Sequence, residues 1–409
     1  MSRPATAAIP RLPVLDWRTF TGAKHSSTPC LLDLPRAQLT HSGRASILLA
    51  LEMLGVGQGD RVLVPTYHCP TMIAPVTQRG AQALFYPLRA DGSPDLDWIA
   101  SQNLDGVRAI LAAHFFGIPQ HLAPLRAWCD QRGIRLIEDC AHALFGVSDG
   151  KPVGSWGDLA IASLTKFLPV PEGGCLINNR LPGQAFPSLS SPGIKSQLKA
   201  AFDIIHVGVN HGRLKGLNRP FSGLLSLLQR FKRRGEAVAL QPSQAQIAAN
   251  EADVPDDYAE SFDIDLGQSH RALTAASRCM AQYAPRERIV EGRRQQYRFF
   301  AQAFASSPGF KPLMPQLPEH CAPYVFPLWV DHPDPGYFEL RRLGLPVSRW
   351  DRLWPEVSEI AGDHGQAWSH HILQLACHQD LSPTELQRMV ALVQDVYSPT
   401  TKTTNKGAA

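Results

Sequence analysis

The 409-residue chain is predicted to be an α/β protein, with a mostly parallel, doubly wound sheet in a large first domain and a smaller α/β domain after it. Three observations lead there. Between residues 43 and 180 short apolar runs alternate with helical patterns, which is the signature of strands joined by helical crossovers. The composition, 44% hydrophobic and 19% charged, is that of a globular protein able to bury a core. The length exceeds one ordinary domain, at roughly 100 to 200 residues each.

The elements follow in order. Residues 43–54 place Ile47, Leu48, Leu51 and Leu54 on one helical face, and 61–65 then read as a short buried strand. Further strands are expected at 83–86, 108–113, 135–138, 159–163 and 175–178, with a helix at 123–132. In such sheets ligands gather at the carboxyl ends of the strands, so polar residues just past a strand are the ones to question. Residues 181–265 break the alternation. They begin rich in Pro, Ser and Gly; nine Lys and Arg then fall between Lys195 and Arg234 against the single acid Asp203, and eight acids fall between Glu236 and Asp265 without a base. Residues 271–304 look helical, 324–330 form a strand and 382–396 a last helix, with a disordered tail over 398–409.

The net charge of +4 is far from the concentrated basic surface that nucleic acids demand, which discounts DNA and RNA as partners. No run of about 18 apolar residues is present, and Met1, Ser2 and Arg3 do not open a signal peptide, so a cytoplasmic protein is expected. The eight cysteines are widely separated and show no zinc spacing.

Three positions could carry chemistry, and each alone also admits a plain structural role. Asp139 follows the strand at 135–138; it could hold a protonated ring nitrogen or simply cap the next helix. Lys166 follows the strand ending at Ser163 and precedes the turn Glu172, Gly173, Gly174; it could form a Schiff base or be a solvated surface lysine. Ser42, Gly43 and Arg44 open a helix whose N-terminus suits a phosphate, as many helix starts do.

Their order and spacing resemble the DegT/DnrJ/StrS family of fold type I pyridoxal-phosphate sugar aminotransferases. The resemblance rests on the turn Ser42, Gly43, Arg44; on the run from Gly55 through Gly57, Gly59 and Asp60 to Pro65; on His114, Gly117 and Pro119; and on Gly133 leading to Ile137, Glu138, Asp139 and Ala141. It continues through Gly154, Gly157, Asp158, Ala160 and Ser163 and the six-residue step from Lys166 to Glu172. It covers 41–180, returns at 267–271 and closes with 372–396 as the last strand and helix.

The resemblance implies pyridoxal 5'-phosphate as cofactor, held as a Schiff base by Lys166, with Asp139 on the pyridine nitrogen and His142 on the ring's oxygen side. It implies Ser163 and the backbone of Gly43 and Arg44 on the phosphate, His68 as the stacking ring with Tyr67 beside it, and Ser269 in the segment that reaches a partner subunit of a homodimer. The activity implied is transfer of an amino group from an amino acid such as glutamate to a keto sugar, nucleotide-linked in the family's manner; the same grip suits a dehydrating enzyme or a non-catalytic scaffold. The large domain is expected over 1–290, with an atypical insertion at 181–265, and the small one over 291–397. Three features depart from the family pattern. The path from Ser163 to Lys166 is two residues shorter, Ser269 stands where the family has Asn, and the insertion is long. Within it Phe221, Leu224, Leu225, Leu228 and Phe231 share one helical face ahead of Lys232, Arg233 and Arg234, a pattern that can contact a membrane surface or pack on the dimer itself. Arg349 and Trp350 are candidates for substrate contact or for a structural role.

Overall fold

A computed structural model gives the structure of residues 8–217 and 265–398. The expected basic helix at 221–234, most of the acidic stretch and nearly all of the C-terminal tail lie outside the described residues.

The large sheet has seven strands in the order β1-β9-β8-β5-β4-β2-β3: β1 (Ala37–Thr40), β2 (Arg61–Pro65), β3 (Gln82–Tyr86), β4 (Val107–Ala113), β5 (Arg135–Cys140), β8 (Leu159–Ser163) and β9 (Gly174–Asn178). A small hairpin, β6 (Val147–Ser148) and β7 (Lys151–Pro152), lies outside it. The β3-β2-β4-β5-β8 pairs are parallel, whereas β9 runs antiparallel to both β8 and β1. Helices α1 (Gly43–Met53), α2 (Pro70–Gln78), α3 (Leu96–Ala100) and α4 (Ala123–Arg132) connect the parallel strands.

The apolar runs are continuous because both faces of this sheet are covered. Val62, Val64, Ile137, Leu159 and Ile161 pack on one face with Ile47 and Leu49 of α1 and Ile73 and Val76 of α2. Leu63, Ile110 and Leu136 pack on the other with Leu125, Trp128 and Cys129 of α4. Several helices escape sequence patterning. Pro70 and Pro75 disguise α2, although Pro70 sits in the first turn, where a missing N–H costs nothing. Helix α5 (Ile194–Asn210) lies inside the stretch where the alternation was expected to fail. The single helical run expected at 271–304 is two helices, α6 (Ala275–Tyr283) and α7 (Arg286–Ala303), separated at Ala284 and Pro285.

The second sheet is four antiparallel strands in the order β10-β11-β13-β12: β10 (Phe310–Pro312), β11 (Val325–Val330), β12 (Val347–Ser348) and β13 (Ile372–Ala376). It packs Phe326, Leu328, Leu373 and Leu375 against Tyr297, Phe300 and Phe304 of α7, with Tyr337 of α8 (Gly336–Arg342) and Met389 of α10 (Pro383–Tyr397). Helix α9 (His364–His371) leads into β13. The expected boundary at 290 falls inside α7, whose N-terminal turns meet the first core and whose C-terminal turns meet the second. Among the described residues no helix is long and apolar enough to cross a membrane.

Candidate active site

Parallel register brings the carboxyl ends of β4, β5 and β8 level, with Ala113 beside Asp139 and Asp139 beside Ile161. Above them opens a cavity of about 860 Å³. Its walls are the N-terminus of α1, one side of α5, Tyr324, Trp350 and an N-terminal strap over 10–14.

One corner is built for an anion. Ser42 caps α1 by accepting from the Ala45 N–H at 3.2 Å, and Gly43 and Arg44 of that first turn line the cavity together with Ser163 and Thr165, at a helix end suited to an anion. A Cβ on Gly43 would stand 3.3 Å from the Ser163 Cβ, so only glycine lets the helix end close comfortably on the strand end. The Arg44 side chain also lines this corner. Below it, Glu172 accepts from the Thr274 N–H at 3.0 Å, pairs with His41 at 2.9 Å and with Arg271 at 2.8 Å. Burial alone would raise this carboxyl; its hydrogen bonds with His41 and Thr274 outweigh that and hold it down at about 2.

The middle of the cavity holds Lys166, Asp139 and His142. Burial lowers the Lys166 amine below the usual lysine range, which frees its lone pair for attack on a carbonyl. Burial raises the Asp139 carboxyl, while the Ala141 N–H, at 2.8 Å, and the charge of Lys166 pull the other way. No helix follows Asp139; the residue anchors a turn, not a helix start. Burial also pushes His142 well below the usual histidine range. Its Nδ1 accepts from the Phe116 N–H at 3.4 Å, which leaves the proton of the neutral ring on Nε2, and the ring lies 4.5 Å from Tyr324 and 5.0 Å from Trp350.

Beneath these groups lies a scaffold that the sequence does not announce. The Arg293 guanidinium is fully buried and donates to the carbonyls of Lys166 (2.7 Å), Pro323 (2.9 Å), Tyr324 (3.2 Å) and Cys377 (3.1 Å), and to Gln379 Oε1 (3.0 Å). Gln379 in turn donates to the Phe167 carbonyl at 3.0 Å. The backbone at Lys166 is thus tied to the second sheet, from a residue that in sequence is one of several arginines on α7. Next to Asp139, Glu138 points the opposite way. It accepts from His114 at 2.9 Å and from the N–H groups of Gly154, Trp156 and Gly157 at 2.6, 2.8 and 3.0 Å. His114, Glu138 and Cys140 offer atoms within 4.8 Å of one another, but these donors already saturate the carboxylate.

Gly43, Arg44, Asp139, His142, Ser163 and Lys166 therefore share one cavity. His68 and Ser269 are not on its lining. His68 is fully buried behind the loop, its Nδ1 against the Pro65 carbonyl at 3.0 Å and its Nε2 accepting from the Trp354 N–H at 3.0 Å; burial lowers it to about 4. Its neighbour Cys69 faces the cavity instead, because one residue along an extended segment turns a side chain to the other face, and Thr71 in the first turn of α2 lines it too. Ser269 is buried in a turn closed by its N–H on the Leu266 carbonyl, and Arg271, two residues on, reaches the cavity of its own chain. Trp350 is on the wall, while Arg349 pairs with Asp334 and Asp351.

Comparison with known proteins bears on this geometry. Residues 34–218 match the model of the DegT/DnrJ/EryC1/StrS aminotransferase family. The chain is similar to a GDP-perosamine synthase of Vibrio cholerae, 30% identical over 36% of this chain and 41% of that one. It is also similar to an L-glutamine:2-deoxy-scyllo-inosose aminotransferase of Streptoalloteichus tenebrarius, 29% identical over half of each. The chain thus spans half or less of the length of these relatives. The fold is shared with solved structures, among them a DegT DnrJ EryC1 StrS aminotransferase from Brucella abortus (TM-score 0.59, 16% identity, 89% of this chain and 86% of that one). Another is Helicobacter pylori PseC, an aminotransferase involved in the biosynthesis of pseudoaminic acid (TM-score 0.59, 14% identity, 90% and 88%).

Proposed function

We propose, from the match of residues 34–218 to the DegT/DnrJ/EryC1/StrS aminotransferase family, that the protein is a pyridoxal-phosphate-dependent aminotransferase that moves an amino group from an amino acid to a keto sugar. Glutamate is the donor to try first, and a nucleotide-linked sugar is the acceptor class that names such as GDP-perosamine synthase suggest. The observation that carries the reading is the meeting, in one cavity, of a lysine with a lowered pKa, a buried carboxylate and an open helix N-terminus.

The residues fit the cofactor's chemistry. The α1 N-terminus, with Gly43 closed on Ser163, would hold the phosphate through backbone N–H groups and the serine hydroxyl. Asp139, buried and raised for lack of full compensation, would gain most by facing a protonated ring nitrogen. His142 would present Nε2–H to the ring's oxygen. When bound, pyridoxal phosphate supplies the electron sink that makes the proton on the amino-bearing carbon removable.

The chain's own groups do the rest. Lys166, held by its carbonyl on Arg293, keeps its amine in the cavity, and its lowered pKa lets it take that proton and return it at a neighbouring atom. Tyr324 and Trp350 wall the site and exclude water from the exchange. Donor and acceptor would use the same cavity and lysine in turn, the donor's keto acid leaving before the keto sugar enters, so ping-pong kinetics are expected.

The test is the visible absorbance of the protein loaded with pyridoxal phosphate, before and after glutamate, in the wild type and in Lys166→Ala. A band that depends on Lys166 and is lost with an amino donor supports the reading; a protein that takes up no cofactor overturns it.

A further inference from the structure

Besides Lys166 and the histidines, four cations among the described residues line the cavity: Arg11, Arg44, Lys199 and Arg271. Lys199 is paired with Asp203 at 2.6 Å, one turn along α5, and Arg271 with Glu172 at 2.8 Å. Arg44 sits at the N-terminus of α1, in the corner suited to a phosphate. Arg11 is different in origin. It rides on the N-terminal strap, which is pinned from both sides by contacts to its backbone. The Ala8 carbonyl is 2.9 Å from His211 Nδ1 at the end of α5, the Pro10 carbonyl is 2.9 Å from His378 Nε2, and the Val14 N–H donates to Asp380 at 3.1 Å. These contacts hold the strap in the wall of the cavity that also contains Lys166 and Tyr324, whose ring centroid is 5.2 Å from the lysine Nζ.

We propose that Arg11 binds the α-carboxylate of the amino-acid donor, an inference that rests on the aminotransferase reading. In an α-amino acid the carboxylate is bonded to the carbon whose nitrogen and proton Lys166 must exchange, so a recognising cation has to stand close to that amine. Arg11 lines the same cavity as Lys166 and Tyr324, and its charge acts in the expected sense: burial lowers the Lys166 amine and Arg11 lowers it further. The diphosphate of a nucleotide sugar is separated from its keto carbon by part of the sugar ring and belongs farther out. A guanidinium also matches a carboxylate's two oxygens, which a lysine does not.

The experiment compares the wild type with Arg11→Gln and Arg11→Lys, all loaded with pyridoxal phosphate. Glutamate is titrated against the visible band, and binding of 2-methylglutamate, which keeps the carboxylate but has no proton to lose, is measured by calorimetry. In Arg11→Gln both half-saturation values should rise about 10- to 100-fold, the worth of a hydrogen bond to a charged group, with Arg11→Lys in between. Uptake of 4-aminobutyrate, which is glutamate without its α-carboxylate, should be the same in all three. Melting curves show whether the strap survives; its pinning uses backbone, so Arg11→Lys should melt with the wild type. Unchanged glutamate and 2-methylglutamate binding in Arg11→Gln, with the visible band intact, would overturn the assignment and leave the aminotransferase reading standing, as would weakening of the keto-sugar acceptor alone. A wild type that takes up no cofactor would overturn both.

Discussion

Replacing Arg293 by methionine separates a structural clamp from a bystander. The side chain is fully buried, pairs with no carboxylate among the described residues, and holds five acceptors: the carbonyls of Lys166, Pro323, Tyr324 and Cys377 and the side-chain oxygen of Gln379. Orphaning buried acceptors costs about 1 kcal/mol each at the low end, hence about 5 kcal/mol for the set. Part of this is returned. Burial lowers the guanidinium to about 10, a sign that its charge is costly to keep there, and methionine fills much of the same volume against Phe167, which the guanidinium now covers at 4.4 Å. A net loss of about 2 to 3 kcal/mol is expected. Urea unfolding followed by tryptophan fluorescence should show a lower midpoint for Arg293→Met, with Arg293→Lys between, since a lysine keeps the charge but cannot reach acceptors on every side. The variant should also bind pyridoxal phosphate more slowly, because the Lys166 backbone has lost its tie to the second sheet. A midpoint and a binding rate equal to those of the wild type would refute the clamp.

Two further outcomes follow from the same geometry. Glu172 has a carboxyl held at about 2 against 4.5 in the free side chain, so over that window the folded protein binds fewer protons than the unfolded one and stability falls as the pH drops. Between pH 4.5 and 2 the wild type should lose up to roughly 3 kcal/mol from this site; Glu172→Gln should start lower at neutral pH and lack that part of the slope, and parallel acid-denaturation curves would refute it. Gly117 has φ +89 and lies against the backbone of Tyr324, where an added Cβ would also come within 2.6 Å of the Ala322 carbonyl. Gly117→Ala should therefore destabilise by about 3 kcal/mol or more and separate the two sheets' contact at Phe116 and Tyr324, read as a lowered melting temperature; an unchanged melt would show that the loop has room.

Much of the frame was legible in the chain. The strands at 61–65 and 159–163 and the helix at 123–132 coincide with β2, β8 and α4, because a parallel strand buried on both faces must be an unbroken apolar run and a helix must show its own period. The placing of Asp139, Ser163 and Lys166 near strand ends was equally visible, since strand ends are where a doubly wound sheet opens, although β5 runs two residues past the expected 138 and takes in Asp139. Less visible were α2, masked by its two prolines, and α5, which follows a Pro-, Ser- and Gly-rich approach. His68 shows the limit at one residue. Its ring suits a stacking role chemically, but the loop turns it inward onto the Pro65 carbonyl and the Trp354 N–H and leaves Cys69 on the cavity side.

What the chain alone determined is the order of its elements and the residue types standing past each strand, because hydrophobic periodicity and turn chemistry are local. Only the tertiary structure decided that Arg293 reaches across 127 positions to the Lys166 carbonyl, that Glu138 and Asp139 face opposite ways into a saturated network and an open cavity, and that Arg11 lines the same cavity as Lys166. Those facts depend on which distant surfaces pack together, and a residue's pattern says that it leaves water without saying what it meets.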